Sequence, residues 1–273
     1  MLKIAAYYAC DFDILGLARY AGKQAANAAY YHLYLDSGAY SVFTGTKKIS
    51  RHQYMLILKK YGDLFTERFS LDDRFDDSYH NLLNQLDLEE KLKNKSWKPI
   101  PVIHDFVDPY GEFEMYVNYG HTYIALGSMG ARKKIPLEIL GKIRTNYPHI
   151  KIHMFGTLNF NMLKKYRPYS ADSAGWAHEA GSGGSISYWR PSENKGYTYN
   201  MGGVESAASE NNHVKKSPFY EEIEQFWCDR FGFTYNSLLS NANERFILNL
   251  YFFTQVEDYL NSIDSLSDNA QQN

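Results

Sequence analysis

Leu33-Tyr34-Leu35-Asp36-Ser37-Gly38 decides the reading of this chain: a short apolar run suited to a buried strand stops at a carboxylate, a hydroxyl and a glycine. The same punctuation recurs down the sequence. Phe65–Asp72 stops at Asp72-Asp73, Pro101–His104 at His104-Asp105, and Tyr123–Gly127 at Gly127-Ser128. Ile150–Gly156 then stops at Gly156-Thr157, and Tyr169–Asp172 at Asp172-Ser173. Stretches of helical period lie between them, at Arg51–Tyr61, Ser78–Leu92, Glu112–Tyr119, Leu137–Asn146 and Asn159–Tyr166. With Ile4–Ala9 at the front, this alternation predicts parallel strands joined by right-handed crossovers. The expected fold is α/β, a (β/α)8 TIM barrel, with Ser185–Trp189 available as an eighth strand. An open doubly wound sheet has the same alternation, because periodicity does not report closure.

Residues 177–217 break the rhythm. Gly181-Ser182-Gly183-Gly184 reads as a flexible loop, and Ser185–Arg190 with Gly196–Met201 reads as two short strands of a hairpin. Helical patterns follow from Pro218 through Cys228 and over Asn243–Leu260. The expected organisation is one barrel domain over 1–261, with a Gly-rich insert at 177–217 and a polar tail over 262–273.

The chain has 273 residues, of which 44% are hydrophobic, enough for one large core. A net charge of −2 excludes a protein that relies on non-specific attachment to phosphates, so any nucleic-acid surface has to be local. The 24 tyrosines suit base stacking, but they suit cores and sheet faces better. Two cysteines, Cys10 and Cys228, supply neither a disulfide framework nor a zinc ligand set and fit a reducing compartment. The apolar run at Lys3–Cys10 is too short for a signal peptide or a membrane span. A soluble, cytoplasmic protein with no membrane partner is expected.

In a (β/α)8 barrel all the C-terminal strand ends open on one face, which carries the active site. An Asp after a strand is by itself usually a turn former or a helix cap. Six successive polar strand ends are more than caps require. Three of them bring Asp36, Asp72 and Asp172 together. Convergent carboxylates suit divalent metals, glycosidic chemistry or recognition of an amino-bearing base. No His-x-His pair accompanies them, which sets metal binding aside and leaves a nucleophile and a proton carrier at a glycosidic carbon.

These segments resemble a known family. Asp36-Ser37-Gly38-Ala39-Tyr40 resembles the Asp-Ser-Gly-Gly-Phe/Tyr segment of the tRNA-guanine transglycosylases, and Ser70-Leu71-Asp72-Asp73 their base-recognition segment. Ala125-Leu126-Gly127-Ser128 is similar to their Gly-Leu-Ala-Val-Gly strand, and His153-Met154-Phe155-Gly156 to their Tyr-Leu-Met-Gly segment. Ala171-Asp172-Ser173 falls where their nucleophile lies. The likeness covers about residues 30–176. Two departures stand out. The three cysteines and histidine of the family's zinc site are absent, and Pro101-Val102-Ile103-His104 replaces a Gln before two glycines. The compact length and missing zinc site look more like the phage and bacterial DNA-guanine transglycosylases of the deoxypurine-in-DNA protein A family.

That resemblance implies Asp172 as the nucleophile on C1′ and Asp36 as the proton carrier. It implies Asp72 as acceptor from the guanine edge, Tyr40 and Phe155 as the base sandwich, and His104, Gly127, Ser128 and Gly156 completing the pocket. No cofactor is called for. The implied partners are DNA, with tRNA as the alternative, and a 7-deazaguanine base such as preQ0 or a derivative, in the host cytoplasm if the protein is phage-encoded. Arg132, Lys133 and Lys134, beside the predicted mouth, are the expected phosphate contacts; Tyr188, Trp189 and Arg190 of the insert read equally as a grip on an opened strand, the expectation taken for Trp189 and Arg190, or as a hairpin that caps the barrel. A non-catalytic nucleic-acid-binding barrel and a glycosidase of free nucleosides or sugars are the rival readings.

Overall fold

The computed structural model describes residues 7–8, 34–39, 49–74, 77–105, 107–127, 137–173, 175–181, 184–202 and 212–270. It is a mixed α/β protein whose chain divides into two compact units. The first holds Lys3–Leu158 and Lys165–Asp172, and the second holds Asn159–Lys164 and Ser173–Asn273 together with the first two residues. A single domain over 1–261 was expected.

In the first unit the strands are β1 (Tyr7–Tyr8), β2 (Tyr34–Asp36), β3 (Glu67–Arg68), β4 (Val102–Ile103), β5 (Tyr123–Leu126), β6 (Lys151–Met154) and β7 (Ser170–Ala171). All pair in parallel in sequence order, and a parallel bridge from Phe69 to Ile100 joins the β1–β3 and β4–β7 groups. Helices alternate with them: α1 (Arg51–Tyr61), α2 (Ser78–Lys91), α3 (Pro109–Asn118) and α4 (Leu137–Asn146); α5 (Phe160–Tyr166), which precedes β7 in sequence, falls largely in the second unit. Local chemistry sets their starts. Ser50 and Gln53 form a reciprocal capping box at α1. Asp108 caps α3 through the Gly111 N–H with Pro109 in the first turn, so α3 begins three residues before the expected Glu112.

The period of two along each strand sorts the core into two faces. Leu35 and Leu71 pack outward with Tyr54, Met55 and Leu58 of α1 and Leu88 of α2. Tyr34, Phe69, Val102 and Ala125 pack with one another on the opposite face. On that face Phe69, next to β3, lies 4.6 Å from the His153 ring of β6, and Tyr34 of β2 lies 5.9 Å from it. In a flat sheet three strand spacings, about 14 Å, would separate β3 from β6. The strand series is therefore strongly curved, with these rings on its concave side.

The second unit corrects the expected eighth strand. Strand β8 (Ser185–Arg190) pairs antiparallel with β9 (Lys195–Asn200), so the hairpin reading of this stretch holds and Ser185–Trp189 is not a parallel strand. Four-residue turn chemistry at Pro191–Asn194 favours a hairpin over a crossover. Gly181 closes helix α6 (Gly175–Gly181) instead of opening a loop. Ile186, Tyr188, Tyr199 and Met201 of the hairpin bury against Ile223 and Trp227 of α7 (Tyr220–Phe231), Leu238 of α8 (Tyr235–Ser240) and Leu248 of α9 (Ala242–Ala270). Buried Asn249 of α9 accepts the Ser187 N–H at 2.7 Å and donates to the Ser185 carbonyl, pairing backbone groups on β8. Arg245 donates to the carbonyls of Ala180 and Leu238, the kind of orphan acceptor that helix ends leave. The backbone of α9 runs to Ala270, where a frayed tail from Ser262 was expected. No helix among the described residues is long and apolar enough to cross a membrane.

Candidate active site

The interior layer of Tyr34, Val102, Ala125 and Ser170 lies two residues before Asp36, His104, Gly127 and Asp172. The strand period therefore projects those four residues onto the same face, one layer nearer the C-terminal strand ends. The ladder fixes their level, with Gly127 N–H donating to the Ile103 carbonyl, Phe155 N–H to Leu126 and Asp172 N–H to Met154.

Asp36 accepts the Gly38 N–H at 2.9 Å on Oδ1. Burial pushes its carboxyl up to about 8, and the neighbouring carboxylates of Asp72 and Asp172 add to the rise, against the Gly38 N–H and His104. Three acidic side chains from β2, the end of β3 and the end of β7 thus share one field. Asp72, 5% exposed, accepts from the Ser37 hydroxyl on Oδ1 at 3.4 Å and pairs through Oδ2 with His104 Nε2 in a short contact. The backbone N–H groups of His104 and Asp105 both donate to Glu112 Oε2, at 2.8 and 2.7 Å. Burial raises the Glu112 carboxyl to about 7, while those two N–H groups oppose the rise.

Asp172 is 3% exposed and is held by one oxygen. Oδ1 accepts the Gly156 N–H at 2.9 Å, and His153 Nε2 lies 3.7 Å from the same oxygen. Among the described residues nothing donates to Oδ2. Gly156 has φ +66°, which an L side chain adopts only with strain, and that conformation aims its N–H at the carboxylate.

No known protein family, curated protein or solved structure matches this chain. The site is therefore judged on its own geometry. The expected residues Asp36, Asp72, His104, Gly127, Phe155, Gly156 and Asp172 all fall at strand ends of one unit. Tyr40, Ser128, Arg132, Lys133 and Lys134 lie outside the described residues.

Four of the expected residues, Gly127, Phe155, Trp189 and Arg190, have contacts of their own. The Gly127 N–H is occupied by the sheet ladder, so it offers a base no donor. Its role is space, because a Cβ there would lie 2.0–2.6 Å from the His104 ring. Phe155 stands edge-on to Phe69 at 4.6 Å and to His153 at 4.4 Å, part of an aromatic wall rather than a detached platform. Trp189, expected to grip a strand, is 4% exposed and packs against Phe160, Phe252 and Tyr259. Arg190 is likewise committed, to Glu222 at 3.0 Å, to Glu193 and over the Phe219 ring. An aromatic-rich hairpin buries its large rings because that offsets the ordering of two short strands.

Sequence reasoning gave no role to Glu112 or His153. Glu112 was legible: it occupies a buried stripe with Pro109, Phe113 and Tyr116, where a carboxylate is out of place unless it binds something. His153 was quoted only as part of a segment. Its inward side follows from the alternation of β6, but its neighbour Asp172 lies 19 positions on.

Proposed function

We propose that the chain is a (β/α)8-type base-exchange enzyme that replaces guanine in a nucleic acid, DNA being the polymer and a 7-deazaguanine the entering base. The observation that carries this reading is the shared field of Asp36, Asp72 and Asp172 at the strand ends, with one carboxyl raised to about 8 and another anchored by a single oxygen. A buried carboxyl that keeps its proton at neutral pH is suited to proton transfer at a reacting centre. The ring contact between Phe69 and His153 supports barrel closure, in which a further element would join β1 to β7, the ends of the series among the described residues.

In this reading Asp172 Oδ2 attacks C1′ of the target nucleotide. The C1′–N bond to guanine breaks, its electron pair goes to the base nitrogen, and protonated Asp36 supplies the proton. The entering base then attacks C1′, gives its N–H proton to Asp36 and displaces Asp172. Protons and bonds balance over the cycle, and two displacements retain configuration. A carboxyl near 8 suits both halves, since it holds a proton at neutral pH and takes one back from the base. The Asp72 carboxylate, oriented by His104, supplies an acceptor for the N–H edge of guanine.

Incubating the full chain with labelled guanine and either duplex DNA or tRNA tests the reading. Label in DNA is the expected result. Label in tRNA alone transfers the activity to RNA. Label in neither, over a range of sequences, overturns base exchange.

A further inference from the structure

His153 is 1% exposed and wedged among three rings, Phe69, Phe155 and Tyr34. A buried imidazole ordinarily satisfies both nitrogens. Here Nδ1 meets the Ser170 hydroxyl at 2.8 Å, whereas Nε2 makes no hydrogen bond and faces Asp172 Oδ1 at 3.7 Å. Ser170 Oγ in turn meets the Tyr123 hydroxyl at 2.8 Å. The Tyr123 hydroxyl has its proton in reach of Ser170 Oγ, and the arrangement in which it donates there is the one that leaves no lone pair facing Asp172. Ser170 is then free to donate onward to Nδ1, which places the ring proton on Nε2. The alternative tautomer would turn a bare lone pair toward a carboxylate.

We infer that His153 is a positioning residue for Asp172, its Nε2–H held toward Oδ1 by the Tyr123–Ser170 chain and the ring packing, so that Oδ2 is the oxygen left to react. This rests on the proposed base exchange, and it adds a residue that the exchange does not by itself require. Gly156 N–H holds Oδ1, and the His153 Nε2–H faces the same oxygen. When Asp172 leaves C1′ in the second displacement, the same two donors receive the returning charge. The separation of 3.7 Å is longer than a hydrogen bond, and a shift of about 1 Å closes it. Catalytic hydrogen bonds commonly tighten in this way once substrate is bound.

Nitrogen-15 NMR of histidine-labelled full chain, with the His153 signals assigned by their loss in His153→Phe, reads the tautomer without any substrate. A proton on Nε2, with its resonance moved by Asp172→Asn, is the expected result. An unprotonated Nε2, or a resonance indifferent to Asp172→Asn, overturns the inference. Kinetics supplies the second arm. His153→Phe keeps the ring shape and should lower kcat for exchange by about 100-fold, with KM for the base within about threefold. His153→Gln should recover about tenfold of that loss by restoring an N–H. A Phe variant with wild-type kcat, or a Gln variant no better than Phe, overturns the positioning role. Absence of exchange by the wild-type chain condemns the base-exchange reading instead, and the tautomer measurement still decides the geometry.

Discussion

Asp36 is held at a cost to the fold. The unfolded chain releases this proton near 3.8, while the folded chain keeps it to about 8. Between those values the folded state binds more protons, so stability falls as pH rises through that window. Asp36→Asn removes the charge without changing the shape. It should raise Tm at pH 8 by roughly 3 °C or more while abolishing exchange, measured by scanning calorimetry at pH 5 and pH 8. An equal Tm change at both pH values contradicts the burial argument. Glu112 gives a second contrast on the same basis. Glu112→Gln keeps an oxygen for the His104 and Asp105 N–H groups, whereas Glu112→Ala strands both. The Ala variant should lose about 2–4 kcal/mol in urea unfolding, and the Gln variant should match or exceed wild type at pH 8. At this scale Asp36, Asp72 and Asp172 were legible, because a carboxylate ending an apolar run contrasts with its surroundings. The pairing of Asp72 with His104 was not, since their side chains meet across strands 32 positions apart.

At the scale of elements, strand ends explain both what was legible and what was not. The parallel strands and most helices follow from periodicity, but among the described residues the strands β1–β7 are only two to four residues long, shorter than the expected apolar runs. Gly127 shows how one strand end carves the site. Gly127→Ala would drive a methyl into the His104 ring, whose position is fixed by Asp72. The variant should lose about 2 kcal/mol or more of stability and at least tenfold in affinity for a guanine-type base, by urea unfolding and calorimetry. Unchanged base affinity removes the His104–Asp72 pair from the pocket. The hairpin makes the opposite case. Tyr188, Trp189 and Arg190 read equally as a nucleic-acid grip or as packing, because sequence does not say which face of a hairpin is covered. Trp189→Ala should cost about 3–5 kcal/mol by leaving a cavity among Phe160, Phe252 and Tyr259, while Arg190→Ala, which removes a solvent-screened ion pair, should leave the unfolding midpoint nearly unchanged. A Trp189 variant with wild-type stability contradicts the packing role.

Across the whole molecule, the carboxylates come from both halves of a strand series, and only curvature brings them together. Asp36 and Asp72 lie on the β1–β3 group, Asp172 on the β4–β7 group, and Asp172 nevertheless raises the carboxyl of Asp36. The account stands on Asp172 as nucleophile, and the most direct measurement is peptide mass spectrometry on the chain quenched during turnover with a guanine-containing oligonucleotide. The account predicts a sugar-linked oligonucleotide adduct on the peptide containing Asp172, absent from Asp172→Asn, which folds normally and exchanges nothing. Label exchange by wild type with no adduct at Asp172, or exchange by Asp172→Asn at a wild-type rate, would contradict it.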